Sequence, residues 1–109
     1  MAVTKQLVVQ GHNEIDVDIA GGPLTVEFPD TTNLIHGQSL GIFNIKTTST
    51  TITLEKSSVT TSDKIMDPSN RATLSGTIAG VALANYGFLY YRLDKEHFAN
   101  TTWVWLNSQ

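Results

Sequence analysis

Apolar and polar positions alternate with a period of two along much of this chain. Ile15, Val17 and Ile19 interleave with Glu14, Asp16 and Asp18, and Leu24, Val26 and Phe28 interleave with Thr25 and Glu27. Successive side chains of a strand leave opposite faces, so this alternation marks strands with one buried and one wet face. Runs rich in β-branched and aromatic residues predict further strands at Leu7-Val8-Val9, Leu40 to Ile45, Thr51 to Glu55, Arg71 to Ile78, Phe88 to Leu93 and Trp103 to Leu106. Gly80 to Ala84 suits either a strand or one helical turn. Turns are marked at Ala20-Gly21-Gly22-Pro23, Pro29 to Asn33, Thr47 to Thr51 and Lys95 to Asn100. Ser57 to Asn70 is the longest polar interval and reads as a loop with a short strand or turn inside it. Eight or nine short strands at this spacing, with no helical pattern, predict an all-β fold, an antiparallel β-sandwich or a jelly-roll-like barrel.

A length of 109 residues suits one domain. Residues 1–12 read as an N-terminal arm or first strand, and 13–109 as the sandwich. Thr and Ser fill 23 positions, 15 and 8 respectively, while only 16% of residues are charged. Thr is β-branched and fits a half-exposed pleated surface, so the bias again favours strands.

Net charge is −3 and the seven basic residues are scattered. A nucleic-acid partner requires a basic stripe to displace counterions from phosphates, and an anionic membrane surface requires the same. Neither partner is expected. The absence of cysteine excludes disulfides, thiolate metal sites and Cys nucleophiles, and favours a bacterial cytosolic or viral origin. Met1 to Gln6 carries no apolar core of a signal peptide, and no apolar run reaches the length of a membrane helix.

Candidate chemistry is sparse. Glu14, Asp16 and Asp18 lie along one strand face at about 6.5–7 Å intervals, too flat a row to converge on a hard cation by itself. They suit a solvated face, or salt bridges to a partner. His12, His36 and His97 lack the close spacing of a helical zinc motif and meet only if the fold brings them together. There is no Gly-x-Ser-x-Gly elbow, no defensible carboxylate pair and no Gly-rich phosphate loop, so an enzyme with a convergent His/Asp site ranks last. No cofactor or metal is expected. The aromatic residues are the remaining lead. Trp103 and Trp105 share one face of the last strand, and Tyr90 and Tyr91 point to opposite faces, so one of the tyrosines is outward. Such rings serve a core, a subunit contact or stacking on sugars.

One resemblance covers about three-quarters of the chain. An apolar strand ends in Pro and a Thr turn at Val26-Glu27-Phe28-Pro29-Asp30-Thr31-Thr32. A Gly-led strand follows at Gly41-Ile42-Phe43-Asn44-Ile45, then a Thr-rich one at Thr51-Ile52-Thr53-Leu54, a long polar loop and a closing Thr102-Trp103-Val104-Trp105. In this order the chain resembles small β-structured virion proteins of tailed bacteriophages, above all the capsid decoration (cement) proteins and the β-domains of tail fibres.

The resemblance implies a structural protein, not an enzyme. It would be made in the host cytoplasm, would form a homotrimer, and would sit on the capsid surface, bridging and stabilising the major capsid protein lattice. Starting at its own Met1, the chain suits a stand-alone decoration protein better than a piece of a fibre. Partner contacts are expected at Glu14, Asp16, Asp18, Tyr90, Trp103 and Trp105. A receptor-binding tail-fibre domain is the near alternative. A carbohydrate-binding module using Trp103, Trp105 and Tyr90 or Tyr91 is the alternative from another class.

Overall fold

A computed structural model describes residues 4–7, 14–17, 24–45 and 47–108, and these form ten strands and no helix. They are β1 (Thr4–Leu7), β2 (Glu14–Val17), β3 (Leu24–Glu27), β4 (Ser39–Asn44), β5 (Thr50–Glu55), β6 (Lys64–Asp67), β7 (Asn70–Ser75), β8 (Thr77–Leu83), β9 (Phe88–Asp94) and β10 (Thr102–Ser108). One sheet has the order β1-β3-β5-β8 and the other β2-β4-β9-β10-β6-β7. The alternating apolar residues of both sheets meet in a single core. Leu24, Val26, Phe28, Ile52, Leu54, Ile78, Val81 and Leu83 come from one sheet side, and Leu40, Ile42, Ile65, Leu89, Tyr91, Leu93 and Trp103 from the other. Each such side chain contributes about 1.5–3 kcal/mol by leaving water. The expected all-β sandwich is the fold.

The sheets are mixed where antiparallel sheets were expected. β1 and β5 both flank β3 in parallel, β2 runs parallel to β4, and β6 runs parallel to β10. The first five strands alternate between the two sheets, so strands two apart in sequence lie side by side and run the same way. A parallel neighbour needs a crossover, and here the crossover is itself a strand of the opposite sheet. Side-chain alternation reports burial but carries no information about direction.

The Arg71–Ile78 run divides at Gly76. β7 belongs to the six-stranded sheet and β8 to the four-stranded one, and the Gly76 carbonyl accepts from Lys56 N at 2.8 Å at the crossing. Gly80 to Leu83 is strand, not helix. Ile52 opposes Val81 and Leu54 opposes Ile78, so two residues of β8, Ala79 and Gly80, stand against one of β5. This is a β-bulge, and Gly80 takes its left-handed conformation with φ +71°. The extra residue restores parity, so Ile78 and Val81 both reach the core.

The long polar interval is held by a carboxylate. Asp63 Oδ2 accepts from the hydroxyls of Thr60 (2.6 Å) and Thr31 (2.9 Å), and all but Thr60 of these three are buried. β6 is the short strand inside this interval.

The β8–β9 turn carries backbone strain. Tyr86 is 61% exposed yet has φ +56°, a conformation that costs an L-residue with a Cβ about 1–2 kcal/mol. Glycine adopts it freely but loses more chain entropy. Tyr86→Gly is therefore expected to raise stability by about 0.5–1 kcal/mol. A urea midpoint at or below that of the parent chain would refute this.

Candidate functional site

The solvent face of the six-stranded sheet carries aromatic rings where the alternation calls for polar residues. Along β4, Leu40, Ile42 and Asn44 are buried, which turns Gly41 and Phe43 to the outer face. Along β9, Leu89, Tyr91 and Leu93 are buried, which turns Phe88, Tyr90 and Arg92 outward. The register sets Phe43 opposite Phe88 and Gly41 opposite Tyr90. Phe43 and Tyr90 meet edge to face at 5.5 Å and 84°, Phe88 and Tyr90 lie 4.8 Å apart, and Phe43 and Phe88 6.3 Å. Tyr90 remains 37% exposed.

Gly41 makes room for this packing. A Cβ there would stand 2.8 Å from Phe43 Cε2 and 3.0 Å from Tyr90 Cε1. The patch is bordered on one side by β2, with Glu14 in register with Gly41 and Asp16 with Phe43. On the other side, Asn107 of β10 is in register with Tyr90.

The residues singled out from sequence are therefore divided. Tyr90 lies in the outer patch. Glu14 and Asp16 lie on β2 beside it, and Asp18 lies outside the described residues. Trp103 is a correction: it is 1% exposed, stacked edge-on against Phe28 at 5.4 Å, and no surface contact can use it. Trp105 is half-buried on the same inward side, and the Arg71 guanidinium covers its ring at 4.2 Å. Arg71 also donates to the carbonyls of Trp105 (2.6 Å) and Leu106 (3.0 Å), where β10 runs on past β6.

Tyr91 is buried, with its hydroxyl donating to the Met66 carbonyl at 2.9 Å. Desolvation, with Asp67 nearby, pushes its phenol far above the ordinary range. A sugar-stacking platform of Trp103, Trp105 and Tyr90 or Tyr91 is therefore not assembled. Phe43 and Phe88 were missed. Their signal was present in β4 and β9, which are apolar in both phases of the alternation.

A second cluster gathers two of the distant histidines. Asp94, at the end of β9, folds the chain back on itself: its Oδ1 accepts from the amides of Glu96 and His97, each at 2.8 Å. Its Oδ2 lies 2.8 Å from His97 Nδ1. Desolvation works against the charge on Asp94, but those two amides and the His97 ring outweigh it and bring the carboxyl to about 2. The stabilisation this adds is complete above the ordinary carboxyl value near 3.8 and disappears as pH falls towards 2.

His36, from the β3–β4 loop, stands against this turn. Its Nδ1 accepts from Lys95 N at 3.1 Å, its Nε2 lies 3.9 Å from Glu96 Oε1, and its ring centroid is 5.7 Å from that of His97. Below it, Gly37 N donates to Leu93 O and Leu93 N to Gln38 O, both at 2.8 Å, which extends the β4–β9 ladder to the base of both loops.

No family model, curated protein or solved structure matches this chain. The chemistry of its own surface therefore carries the functional argument.

Proposed function

We propose that this chain is a non-catalytic structural protein that docks onto protein partners through the outer face of its six-stranded sheet. The observation that carries this is the Phe43–Phe88–Tyr90 cluster. Three rings packed together on a solvent-facing sheet surface are what an interface core looks like before its partner arrives. Their mutual tilts of 46–84° leave no coplanar row for stacking on a sugar, which favours a protein partner.

The sequence resemblance supplies the setting: a tailed-phage decoration protein, assembled as a homotrimer and seated on the major capsid protein lattice at the capsid surface. Its action would be burial of aromatic and Thr-rich surface across several neighbours. Many modest contacts on a lattice sum to firm attachment through effective concentration. The strained, exposed Tyr86 precedes the same end of β9, as expected of a residue kept for contact and not for stability.

The test is the absolute mass of the purified chain by light scattering after size exclusion at two concentrations, beside Tyr90→Lys. The parent chain is expected at three chain masses at both concentrations. Tyr90→Lys is expected as a folded monomer with a lowered unfolding midpoint, since it loses the ring contacts with Phe43 and Phe88 as well as the self-interface. A parent trimer that survives the substitution would remove this face from the self-interface. A parent monomer at both concentrations would remove the trimer.

A further inference from the structure

We infer that His36, Glu96 and His97 form a site for one divalent transition-metal ion of the zinc class, with Asp94 as the carboxylate that orients His97. The ligand atoms of the three residues lie within 4.8 Å of one another. Bonds of about 2.0–2.2 Å around a tetrahedral ion place its ligand atoms about 3.3–3.6 Å apart, so closure requires each side chain to move by roughly an ångström. All three are exposed side chains on two loops, and the β4–β9 ladder fixes the spacing of those loops.

The arrangement around His97 goes beyond proximity. Asp94 Oδ2, 2.8 Å from Nδ1, accepts a hydrogen bond from Nδ1–H in the tautomer that leaves Nε2 with a free lone pair, the outer-shell pairing that histidine ligands of metals use. Asp94 is in turn fixed by two backbone amides, so the ring direction is set before any ion arrives. Two imidazoles and one carboxylate are the donor set of zinc and its neighbours in the first transition row, not of calcium or magnesium. Three protein ligands leave the fourth position to water.

His36 sets the strength. Its Nδ1 now accepts from Lys95 N, so Nε2 holds the proton. Ligation through Nε2 moves that proton to Nδ1 and turns the Lys95 amide to solvent. This rearrangement lowers the affinity below that of a preformed structural zinc site.

The experiment is calorimetric titration of ZnCl2 into the untagged, chelator-treated chain, with thermal melts at increasing Zn²⁺ as a second readout. One equivalent is expected to bind, and the melting temperature to rise with Zn²⁺. His36→Gln and His97→Gln are each expected to weaken binding at least tenfold, and Asp94→Asn about tenfold or more, through the His97 ring and the turn that carries Glu96. His12→Gln is the control and is expected to bind as the parent chain does. No saturable binding up to 1 mM Zn²⁺ would overturn the inference. So would unchanged binding by the folded His36→Gln/His97→Gln double variant, which would place the ion elsewhere.

Discussion

Trp103→Ala is expected to destabilise the domain by about 3–5 kcal/mol, the cost of a large cavity at a site that cannot collapse. Trp103 lies on β10 with β9 and β6 on either side, opposite Leu93 and Ile65. Its ring crosses to the other sheet, where Phe28 meets it at 5.4 Å and 75° and meets Tyr91 at 5.3 Å and 82°. This edge-to-face triad joins the two layers, so removing the indole strips contacts from both sheets at once. Native domains hold only about 5–15 kcal/mol in total, so the alanine variant is expected to lose a large share of its stability.

Trp103→Phe separates the cavity from the chemistry. Trp103 Nε1 is buried and has no hydrogen-bond partner among the described residues, so the phenyl ring also removes an unsatisfied donor. It is expected to cost no more than about 2 kcal/mol. Urea titration followed by circular dichroism measures both. A loss under 1.5 kcal/mol for the alanine variant would mean that the triad is not what joins the sheets.

Asn44→Asp is expected to cost about 3–5 kcal/mol at pH 7. Asn44 sits at the end of β4, 2% exposed, and its Nδ2 donates to the carbonyls of Thr48 (2.9 Å), Ala84 (3.0 Å) and Leu83 (3.4 Å). Its own amide donates to Gly87 O at 2.9 Å. One side chain thus closes the β4–β5 loop against the β8–β9 turn. A carboxylate in its place is a buried anion facing carbonyl oxygens. Burial and those oxygens both raise the pKa of the introduced group above its unfolded value. The sign follows: the deficit relative to the parent is greatest at neutral pH and shrinks as pH falls and the group takes up a proton. Paired denaturation curves at pH 7 and pH 4 test this. A deficit below 1 kcal/mol at pH 7, or one that grows on acidification, would show that the amide does not hold these turns.

Of the candidate surface, the sequence contained less than of the fold. Opposite orientations for Tyr90 and Tyr91 were legible from their adjacency, and the structure assigns Tyr90 to the outside. Phe43 and Phe88 were hidden because apolar residues in both phases of a strand look the same whether a second core or an open patch lies outside. His36 and His97 are 61 positions apart. They meet only because β4 and β9 pair with Ser39 opposite Arg92, which brings the loop before one strand to the loop after the other.

The sequence by itself determined the strand content, the absence of a helical pattern, and the inward face of β3 at Leu24, Val26 and Phe28. Those follow from local rules: a period of two, β-branched composition and turn residues act within a few positions. The Gly80 bulge, the parallel pairings, the crossing at Gly76 and the burial of Trp103 were decided only by tertiary structure. Each depends on which distant segment supplies the opposing strand or ring, and a residue pattern that records burial does not record its partner.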